Sequence, residues 1–389
     1  MKILLLSPIP RIDPACGDVV YTEMLLAHPP DGVQYETYAD ALKRGSLVEH
    51  GRRDRFAAEP VLTAVSKIIN IARKRRWLFW EPFRIFSIRP GEYDLVHVHV
   101  FNCGFRQIDC PLVFSNACPI RFLYTEARGY SKFRVRIVEA VELLLARLLG
   151  VNLTSYWLPQ ATRIIAFTEF LRRWYVEHEI FPADRIDVVP IYLPPAPAVS
   201  KPNGRPSRVG FIAKDFAAKG GETLLAAFEI VKESHPEAEL VIVGCPPRIG
   251  DGELKRRRIK WIPYVSRETL LREIIPGFDV FAYPTRFDGM PLVLLEAMAA
   301  GVPMATSDLQ AMPEIVGEGV AGLSSPVGEA RLLAQNILRL LEPELNASFR
   351  AGAMAQFRGV FSASAATARL RAAYLEAGKL HRARNAGTW

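Results

Sequence analysis

The sequence predicts an α/β protein built from two domains. Short apolar runs, many with β-branched residues, alternate along the chain with segments of helical character, which is typical of parallel sheets covered by helices. With 389 residues, 50% hydrophobic and 23% charged, the chain is long for one core and has the composition of a folded protein. A stretch rich in proline, alanine and serine at 194–206 separates two such regions. We therefore place the domains at 1–196 and 205–389.

The first domain opens with an apolar run at 2–6, which is too short for a signal peptide and typical of a first strand. Gly17 lies in the loop that follows, before a helical segment, and by itself it also fits a plain turn. A second strand is predicted at 93–100, and it carries His97 and His99 near its end. His99 is the stronger candidate for a functional role, although a histidine packed at a strand end fits the same pattern.

The second domain holds the densest functional signal, a strand, a loop and a helix in succession. Residues 278–284 form an apolar run closed by a proline, as in a buried parallel strand. The loop contains Gly289, and Pro291 occupies a first-turn position, where the missing N–H of proline does no harm. Good helix formers fill 292–300, and Gly301 is placed to end the helix.

Two acids carry the chemistry of this stretch, Asp288 in the loop and Glu296 inside the helix. A helix N-terminus behind a glycine loop offers backbone N–H groups and a positive dipole end, which suits a phosphate. The loop acid can accept hydrogen bonds from sugar hydroxyls, and the helix acid can reach a ribose. Structural roles stay open for both, since Asp288 also fits a helix cap and Glu296 a buried acid with a partner.

A pair of lysines follows the predicted first strand of the second domain, at 209–213. Lys214 and Lys219 lie at the tip of this strand, and Gly220 follows directly. Two cations in this position could neutralise a departing diphosphate, although two solvated surface lysines give the same pattern. Lysine acts as a point charge, whereas arginine offers a planar fork of donors.

These motifs together resemble the retaining GT-B glycosyltransferases of family 4, the glycosyl transferases group 1 type. In that family, a Glu-Gly pair precedes an apolar run that ends in Glu-Ala-Met-Ala-x-Gly, and a Lys-Gly pair follows a strand that ends in Gly-Arg. An Asp-Val-Val-His-x-His strand in the first domain is a third shared motif. This sequence departs from the pattern at several positions. Asp288 replaces a glutamate and Lys214 replaces an arginine. Asp18 replaces the second glycine of an adjacent pair whose first member is Gly17.

The resemblance implies two Rossmann-like domains that face a cleft, with the C-terminal helix crossing back to the first domain. It implies a hexosyltransferase that moves a sugar from a nucleoside-diphosphate sugar to an acceptor hydroxyl with retention of configuration, in glycan, polysaccharide or glycolipid biosynthesis. The residues at its catalytic positions are Asp288, Lys214, Lys219 and His99. Those at its donor-binding positions are Glu296, Gly289, Met290, Pro291, Leu292 and Gly17.

The expected partners are a nucleotide-sugar donor and a carbohydrate or lipid-linked acceptor. We expect no cofactor and no metal, because the sequence has neither a Walker motif nor the spacing of metal ligands. Two alternatives stay open. One is a GT-B relative with different chemistry, such as a nucleotide-sugar epimerase, and the other is a non-catalytic protein that binds nucleotide sugars.

A strongly basic segment lies at 41–90, with twelve Lys or Arg against four Asp or Glu, and this excess equals the net charge of the chain, +8. Within it, 73–86 combines four consecutive cations with Trp77 and Trp80, which fits an anionic membrane surface. The same residues also fit an amphipathic helix with its tryptophans in the core. A second basic group lies at 121–136. Nucleic acid is a poor fit, because the segment lies outside any recognisable nucleic-acid module.

The cysteine pattern indicates a reducing compartment. The five cysteines are scattered and include no C-x-x-C pair, which argues against a disulfide framework. No segment reaches the roughly 18 uninterrupted apolar residues of a membrane span. We therefore expect a cytoplasmic protein that docks on the inner face of the cell membrane as a peripheral protein.

Overall fold

The structure is a computed structural model that describes most of the chain. It covers residues 1–7, 17–50, 84–100, 103–105, 108–116, 120–148, 161–195, 205–247 and 249–387. The contacts between residues divide the chain into two compact units. The first comprises Met1–Phe167, Arg172–Val189 and Thr367–Trp389, and the second comprises Thr168–Leu171 and Pro190–Ala366.

The first unit is built on one large parallel sheet and one small mixed sheet. Its strands are β1 (Lys2–Leu6), β2 (Gln34–Thr37), β3 (Leu47–His50), β4 (Arg84–Ile88), β5 (Leu95–His99), β6 (Cys103–Phe105), β7 (Leu112–Ser115), β8 (Arg163–Ala166) and β9 (Ile186–Val188). The large sheet has the order β2-β1-β5-β7-β8-β9, and all of its strands are parallel. Strands β3, β4 and β6 form the small sheet. The predicted strands at 2–6 and 93–100 are therefore confirmed as neighbours, β1 and β5.

The helices associated with these strands run over Gly17–Ala27, Tyr38–Arg44, Ile120–Phe122, Lys132–Leu148 and Glu169–Glu177, with a π-helical turn at Leu123–Ala127 and a 3-10 turn at Ala183–Arg185. Helix Tyr38–Arg44 shows why such elements start and end where they do. The Thr37 side chain accepts the N–H of Asp40, and Gly45 ends the helix in the left-handed conformation, at φ 73°.

The last helix, Ala363–Asn385, begins in the second unit and ends in the first. Its Tyr374 hydroxyl lies 2.8 Å from the hydroxyl of Tyr35 and 2.7 Å from His97 Nδ1. The final turns of the chain thus pack into the first unit, and the predicted return of the C-terminal helix is confirmed.

The second unit is built on a doubly wound parallel sheet. Its strands are β10 (Arg208–Ala213), β11 (Glu239–Gly244), β12 (Ile259–Ile262), β13 (Val280–Tyr283), β14 (Met304–Ser307) and β15 (Gly322–Ser325). The order is β12-β11-β10-β13-β14-β15, with parallel pairing throughout. The strand order therefore reverses between β10 and β13, as in a Rossmann-like sheet.

Helices and helical turns follow the strands of this sheet. They run over Gly221–Ser234, Asp251–Arg256, Arg267–Thr269, Leu292–Ala299, Met312–Val316, Ala330–Leu341 and Pro343–Gln356, with π-helical turns at Leu270–Ile274 and Phe357–Phe361 and a 3-10 turn at Ile275–Gly277. Fully buried apolar side chains from strands and helices form a common core, including Val209, Phe211, Leu224, Phe228, Leu240, Ile242, Leu333 and Ile337. This burial holds the strand ends in fixed positions.

Two predicted elements are shifted. The sequence predicts a strand at 261–265, but β12 occupies Ile259–Ile262 and ends before Pro263. Proline has no N–H to donate to a neighbouring strand, so the pairing stops there. The sequence also predicts an amphipathic helix at 137–158, because acidic and basic residues interrupt this apolar segment. The helix begins earlier, as Lys132–Leu148, and residues 149–158 lie outside the described part of the chain.

Candidate active site

The predicted site residues of the second unit follow β10 and β13, the two strands between which the strand order reverses. These strands pair directly, with Val209 opposite Val280. In open α/β sheets, ligands bind outside the carboxyl ends of the strands at such a point. The loop after β10 carries Lys214 and Lys219, and the loop after β13 carries Asp288. The fold therefore brings together residues that are far apart in the sequence.

Gly220 lets the two loops touch. Its backbone is left-handed, at φ 76°, and a Cβ atom placed on it would lie 1.9 Å from the carbonyl oxygen of Pro284. The Arg286 N–H also donates to the Ala218 carbonyl across the same contact, at 3.0 Å. A side chain at position 220 would push the loops apart. The Lys-Gly motif thus has a physical reason in this fold.

Lys219, Asp288 and Tyr283 form a compact hydrogen-bonded group. Lys219 Nζ lies 2.6 Å from Asp288 Oδ2 and donates to the Phe287 carbonyl at 3.0 Å. The Tyr283 hydroxyl donates to the same carboxylate oxygen at 2.7 Å. The Lys219 and Asp288 side chains are 24% and 19% exposed, so a ligand can reach both charges.

Tyr283 also belongs to this group, although its residue type alone does not indicate a functional role. Burial, and then the charge of Asp288, raises the pKa of its hydroxyl well above the usual value. The hydroxyl is therefore protonated at neutral pH and serves as a donor to Asp288. Its position as the last residue of β13 is the one signal that could have identified it.

Gln310 and Thr285 hold the loop that carries Asp288. The Gln310 side-chain oxygen accepts the N–H of Asp288 at 3.3 Å. The backbone of Gln310 is left-handed, at φ 55°, which is uncommon for a residue other than glycine. The Thr285 hydroxyl donates to the Phe287 carbonyl at 3.0 Å. The loop is thus supported from two sides.

The helix Leu292–Ala299 begins directly after this loop. Pro291 precedes it as the N-cap, and within the described residues no side chain caps its first turn. Met290 and Pro291 are buried, whereas Gly289 and Leu292 are half-buried. Pro291 thus lies just outside the helix, not in its first turn as predicted. The four residues predicted at donor-binding positions, 289–292, surround a helix start, where partial positive charge collects.

Glu296 lies in this helix and pairs with Arg267, a residue that belongs to none of the sequence motifs described above. Arg267 Nη2 lies 2.8 Å from Glu296 Oε1, and the Glu296 side chain is 8% exposed. Burial raises the pKa of Glu296, while the charge and hydrogen bonds of Arg267 act in the opposite direction. Nothing in the residues around position 267 indicates this pairing, because it joins two elements distant in sequence.

The first-unit candidates lie beside β1 and β5, where the order of the large sheet reverses. Gly17 is the first residue of helix Gly17–Ala27. His99 is the last residue of β5 and is fully buried. Its Nδ1 lies 2.9 Å from the Ser115 hydroxyl and its Nε2 lies 3.4 Å from a carboxylate oxygen of Asp18. Asp18, the residue that departs from the family pattern, is thus the charged neighbour of His99.

His97 continues this buried network on the other side of Ser115. Its Nε2 lies 2.8 Å from the Ser115 hydroxyl, and its Nδ1 contacts Tyr374. Burial, and then the neighbouring His99, lowers the pKa of His97 to about 3. His97 is therefore neutral in the folded protein at physiological pH.

The structure brings two groups of predicted residues together, one in each unit. Lys219 and Asp288 are in contact, and Lys214 is exposed directly after β10. In the first unit, Asp18 directly follows Gly17 in helix Gly17–Ala27, and its carboxylate lies 3.4 Å from His99 Nε2. In the described part of the chain, no group of three or more His, Cys, Asp or Glu residues is arranged to hold a metal ion.

Comparison with known proteins identifies the segment that carries the second-unit site. Residues 206–343 match the family model described as Glycosyl transferases group 1. An amylovoran biosynthesis glycosyltransferase of Erwinia amylovora is 28% identical over 47% of this chain and 50% of its own length. A phosphatidyl-myo-inositol mannosyltransferase of Mycobacterium leprae is 25% identical over 70% of this chain and 68% of its own. The chain spans about half the length of the first curated relatives it matches.

Solved structures share the fold of the whole chain. Sucrose-phosphate synthase from Thermosynechococcus elongatus matches with a TM-score of 0.61 at 18% identity, covering 99% of both chains. HepE from Anabaena, in complex with UDP and glucose, matches with a TM-score of 0.58 at 16% identity, covering 96% of this chain and 98% of its own. These neighbours and the two parallel sheets establish the GT-B fold, and the match to the glycosyl transferases group 1 family model covers residues 206–343.

Proposed function

We propose that the protein is a retaining glycosyltransferase, which moves a sugar from a nucleoside-diphosphate sugar to an acceptor hydroxyl. The observation that carries this proposal is the contact between Lys219 and Asp288 at the point where the strand order reverses. It places a cation and an acid side by side within the family-matched segment. Relatives named for amylovoran, O-antigen and phosphatidyl-myo-inositol glycosylation support a role in polysaccharide or glycolipid biosynthesis.

The leaving diphosphate is the group that most needs stabilisation in such a reaction. Lys214, Lys219 and the helix start at Leu292 offer it positive charge without a metal. Preorganised charge aimed at a developing anion is usually the largest catalytic contribution. Lys219 is already oriented by Asp288 and by the Phe287 carbonyl, so little reorganisation is required when the donor binds.

The two acids, Asp288 and Glu296, contact different parts of the donor molecule. Asp288 accepts from the hydroxyls of the donor sugar, and Glu296 accepts from the ribose. The acceptor hydroxyl attacks the face from which the diphosphate departs, so no enzymatic nucleophile is required and configuration is retained. In the first unit, the resemblance implies roles for His99 and Gly17, and Asp18, the residue after Gly17, lies beside His99.

A ligand screen followed by turnover tests this function. UDP is the first probe, because HepE structures contain UDP or UDP-glucose, and GDP and ADP are compared with it. A nucleotide that binds the folded state alone raises the melting temperature by mass action. Stabilisation by one nucleotide and transfer from its sugar, with retained configuration in the product, is the expected result. Product from donor alone would favour an epimerase, and binding without turnover on any acceptor would favour a binding protein.

We further propose that the first unit docks on an anionic membrane surface, where a lipid-linked acceptor is found. Most of the basic segment at 73–86 lies outside the described residues. Among the described helices, none has the combined length and apolar character needed to cross a bilayer. The support comes instead from helix Lys132–Leu148.

This helix exposes apolar side chains along one side. The exposed fractions are 75% for Phe133, 46% for Ile137, 42% for Val141 and 58% for Leu144. At 3.6 residues per turn, these four fall within an arc of about 80°. Arg134 and Arg136 border the arc on its two sides, and Val135 and Val138 are buried on the other face. Apolar side chains flanked by cations suit the interface of an anionic bilayer.

Cosedimentation with liposomes tests this docking. Binding to anionic vesicles is expected at low salt, less at high salt because exposed charges are screened, and none to neutral vesicles. Replacing Phe133 and Leu144 with serine should reduce it, whereas the same change at Val327 and Leu332, which are 41% and 42% exposed in the second unit, should not. Replacing 73–76 with serine tests the basic segment separately. Equal sedimentation of all variants at low salt would contradict the proposal.

A further inference from the structure

The ion pair between Arg267 and Glu296 joins two separate elements of the second unit. Arg267 starts the short helix after β12, and Glu296 lies in the helix after β13. Arg267 Nη2 and Nε lie 2.8 and 3.1 Å from the same oxygen, Oε1 of Glu296. Within the described residues, no hydrogen bond reaches the other oxygen, Oε2. The guanidinium therefore fixes one oxygen and leaves the second available to a ligand.

Glu296 needs this partner because its carboxyl group is almost completely shielded from solvent. Its side chain is 8% exposed, and its neighbours Leu295 and Ala297 are fully buried. Burial penalises the ionised form and raises the pKa of Glu296, against which Arg267 acts. A buried carboxyl group without a counter-charge takes up a proton rather than remain ionised.

Other charged residues occur on the elements next to these two helices. They are Glu268, Arg272 and Glu273 beside Arg267, and Glu314, Glu344, Arg350 and Arg358 on the helical segments that follow β14 and β15. Arg272 pairs with Glu268, and Glu314 accepts the N–H groups of Glu169 and Phe170. Among the described residues, Arg267 is the one cation in an ion pair with Glu296.

We propose that Arg267 is a positioning residue, which keeps Glu296 ionised and oriented so that its carboxylate binds the ribose hydroxyls of the donor nucleotide. The proposal rests on the proposed function of the site. An ionised carboxylate only accepts hydrogen bonds, so it can receive both hydroxyls of a ribose diol, whereas a protonated one carries a donor of its own. Arg267 thereby sets the charge state that nucleotide recognition requires, without itself contacting the nucleotide.

The first test needs no ligand. In Arg267→Met, Glu296 keeps its proton to a higher pH than in the parent, and stability falls with rising pH wherever the folded state holds more protons than the unfolded state. The variant's melting temperature, relative to the parent, should therefore fall by a few degrees between about pH 5 and about pH 8. Arg272→Met is the matched control, because Arg272 is 67% exposed and pairs with an exposed acid. A gap between Arg267→Met and parent that is the same at both pH values would overturn the proposal.

The second test measures UDP binding by calorimetry, with the parent at the same pH as reference. Arg267→Met should weaken binding about tenfold near pH 6, the loss of one hydrogen bond to a charged group, and less near pH 8, where the carboxylate forms again. Arg267→Lys should restore most of the affinity, because it keeps the cation. In a Glu296→Gln background, Arg267→Met should cause no further loss.

Two outcomes separate this proposal from the proposed function. Equal losses from Arg267→Met with Glu296 present and with Glu296→Gln would show that Arg267 contacts the nucleotide or only supports the fold, and would overturn the positioning role alone. Failure of the parent to bind UDP, GDP or ADP would overturn the proposed function, and the ribose role with it. The ligand-free titration would then still show whether Arg267 controls the ionisation of Glu296.

Discussion

Both units have polar residues where the strand order of a parallel sheet reverses. In the first unit these residues are buried, whereas in the second they are accessible. In the first unit, His97 and His99 lie in β5, are fully buried and are linked through Ser115. In the second unit, Lys219 and Asp288 after β10 and β13 keep exposed fractions of 24% and 19%. The first is a buried network in which His97 is neutral, and the second is an accessible ion pair beside a helix start.

This difference shows that the strand order determines where these polar residues lie. The residues around them determine whether they are buried or accessible to a ligand. A buried network specifies packing and is sensitive to pH through its neutral members. An accessible ion pair leaves both of its charges open to a ligand. If this comparison is right, changes at Lys219 or Asp288 alter turnover, whereas a change at His97 alters stability.

The largest expected effect is that of Lys219→Ala. Removing a charge aimed at a leaving group costs on the order of 10²–10³ in rate, by analogy with a lost oxyanion donor. We expect this loss in kcat with the melting temperature little changed. Lys232→Ala, in the same unit but on the surface of helix Gly221–Ser234, is the control and should have parental kinetics. Parental kinetics for Lys219→Ala would remove the lysine from the mechanism.

Asp288→Asn should lower turnover by about 10-fold to 10²-fold, because a hydrogen bond to a charged group is worth about 1.5–3 kcal/mol. The free nucleotide lacks the sugar, so its affinity should stay close to that of the parent. Glu296→Gln should instead weaken donor and free nucleotide alike. The two variants are compared by calorimetry and by initial rates. Full activity in Asp288→Asn would refute the sugar contact.

His97 gives a prediction about stability in the first unit. The unfolded chain protonates this histidine below about pH 6.5, but the folded protein does so only near a pKa of about 3. Between these values the unfolded state holds more protons, so stability falls as pH falls, by up to about 1.4 kcal/mol per pH unit. Urea unfolding at several pH values should show a shallower acid slope in His97→Asn.

His28, an exposed histidine of the same unit, provides the control substitution for His97→Asn. His28→Asn should keep the parental slope, because this exposed side chain lies outside the buried network of His97, Ser115 and His99. Identical slopes for His97→Asn and the parent would mean that the buried network does not couple to pH, and the contrast between the two units would weaken.

Lys214→Arg should have the smallest effect. Lys214 is exposed after β10, and arginine restores the residue that the resembled family carries there. Turnover within about twofold of the parent is expected, since the charge is kept and the planar fork adds donors. A large loss, measured beside the neighbouring Lys219→Arg, would show that the shape of lysine matters at position 214.

Much of the fold could be predicted because it follows from local patterns. The apolar runs at Lys2–Leu6, Leu95–His99 and Val280–Tyr283 are strands as expected, and Gly301 ends its helix in the left-handed conformation, at φ 64°. The end of a strand was harder to predict where a single residue stops its hydrogen bonding to the neighbouring strand, as Pro263 does for β12. Here a single missing N–H outweighs the apolar character of the residues beyond it.

The site was predictable only in part, for a related reason. Asp288 and Lys219 stand out by motif, but their contact, and the Tyr283 hydroxyl that completes it, depend on the approach of two loops at Gly220. Arg267 has no local signal at all, because its role is defined by a carboxylate on another helix. Motifs identify residues that touch substrates, whereas their supporting partners are set by tertiary packing.

The hydrogen bond between His97 and Tyr374 has a consequence for the order in which the protein folds during synthesis. The two residues are 277 positions apart, so the ribosome makes nearly all of the second unit after β5 and before this partner appears. Until then, the first unit lacks both the hydroxyl that satisfies His97 Nδ1 and the helix that supplies it. The part of the chain that emerges first is therefore completed last, because its buried His97 acquires this partner only once the final helix has been made.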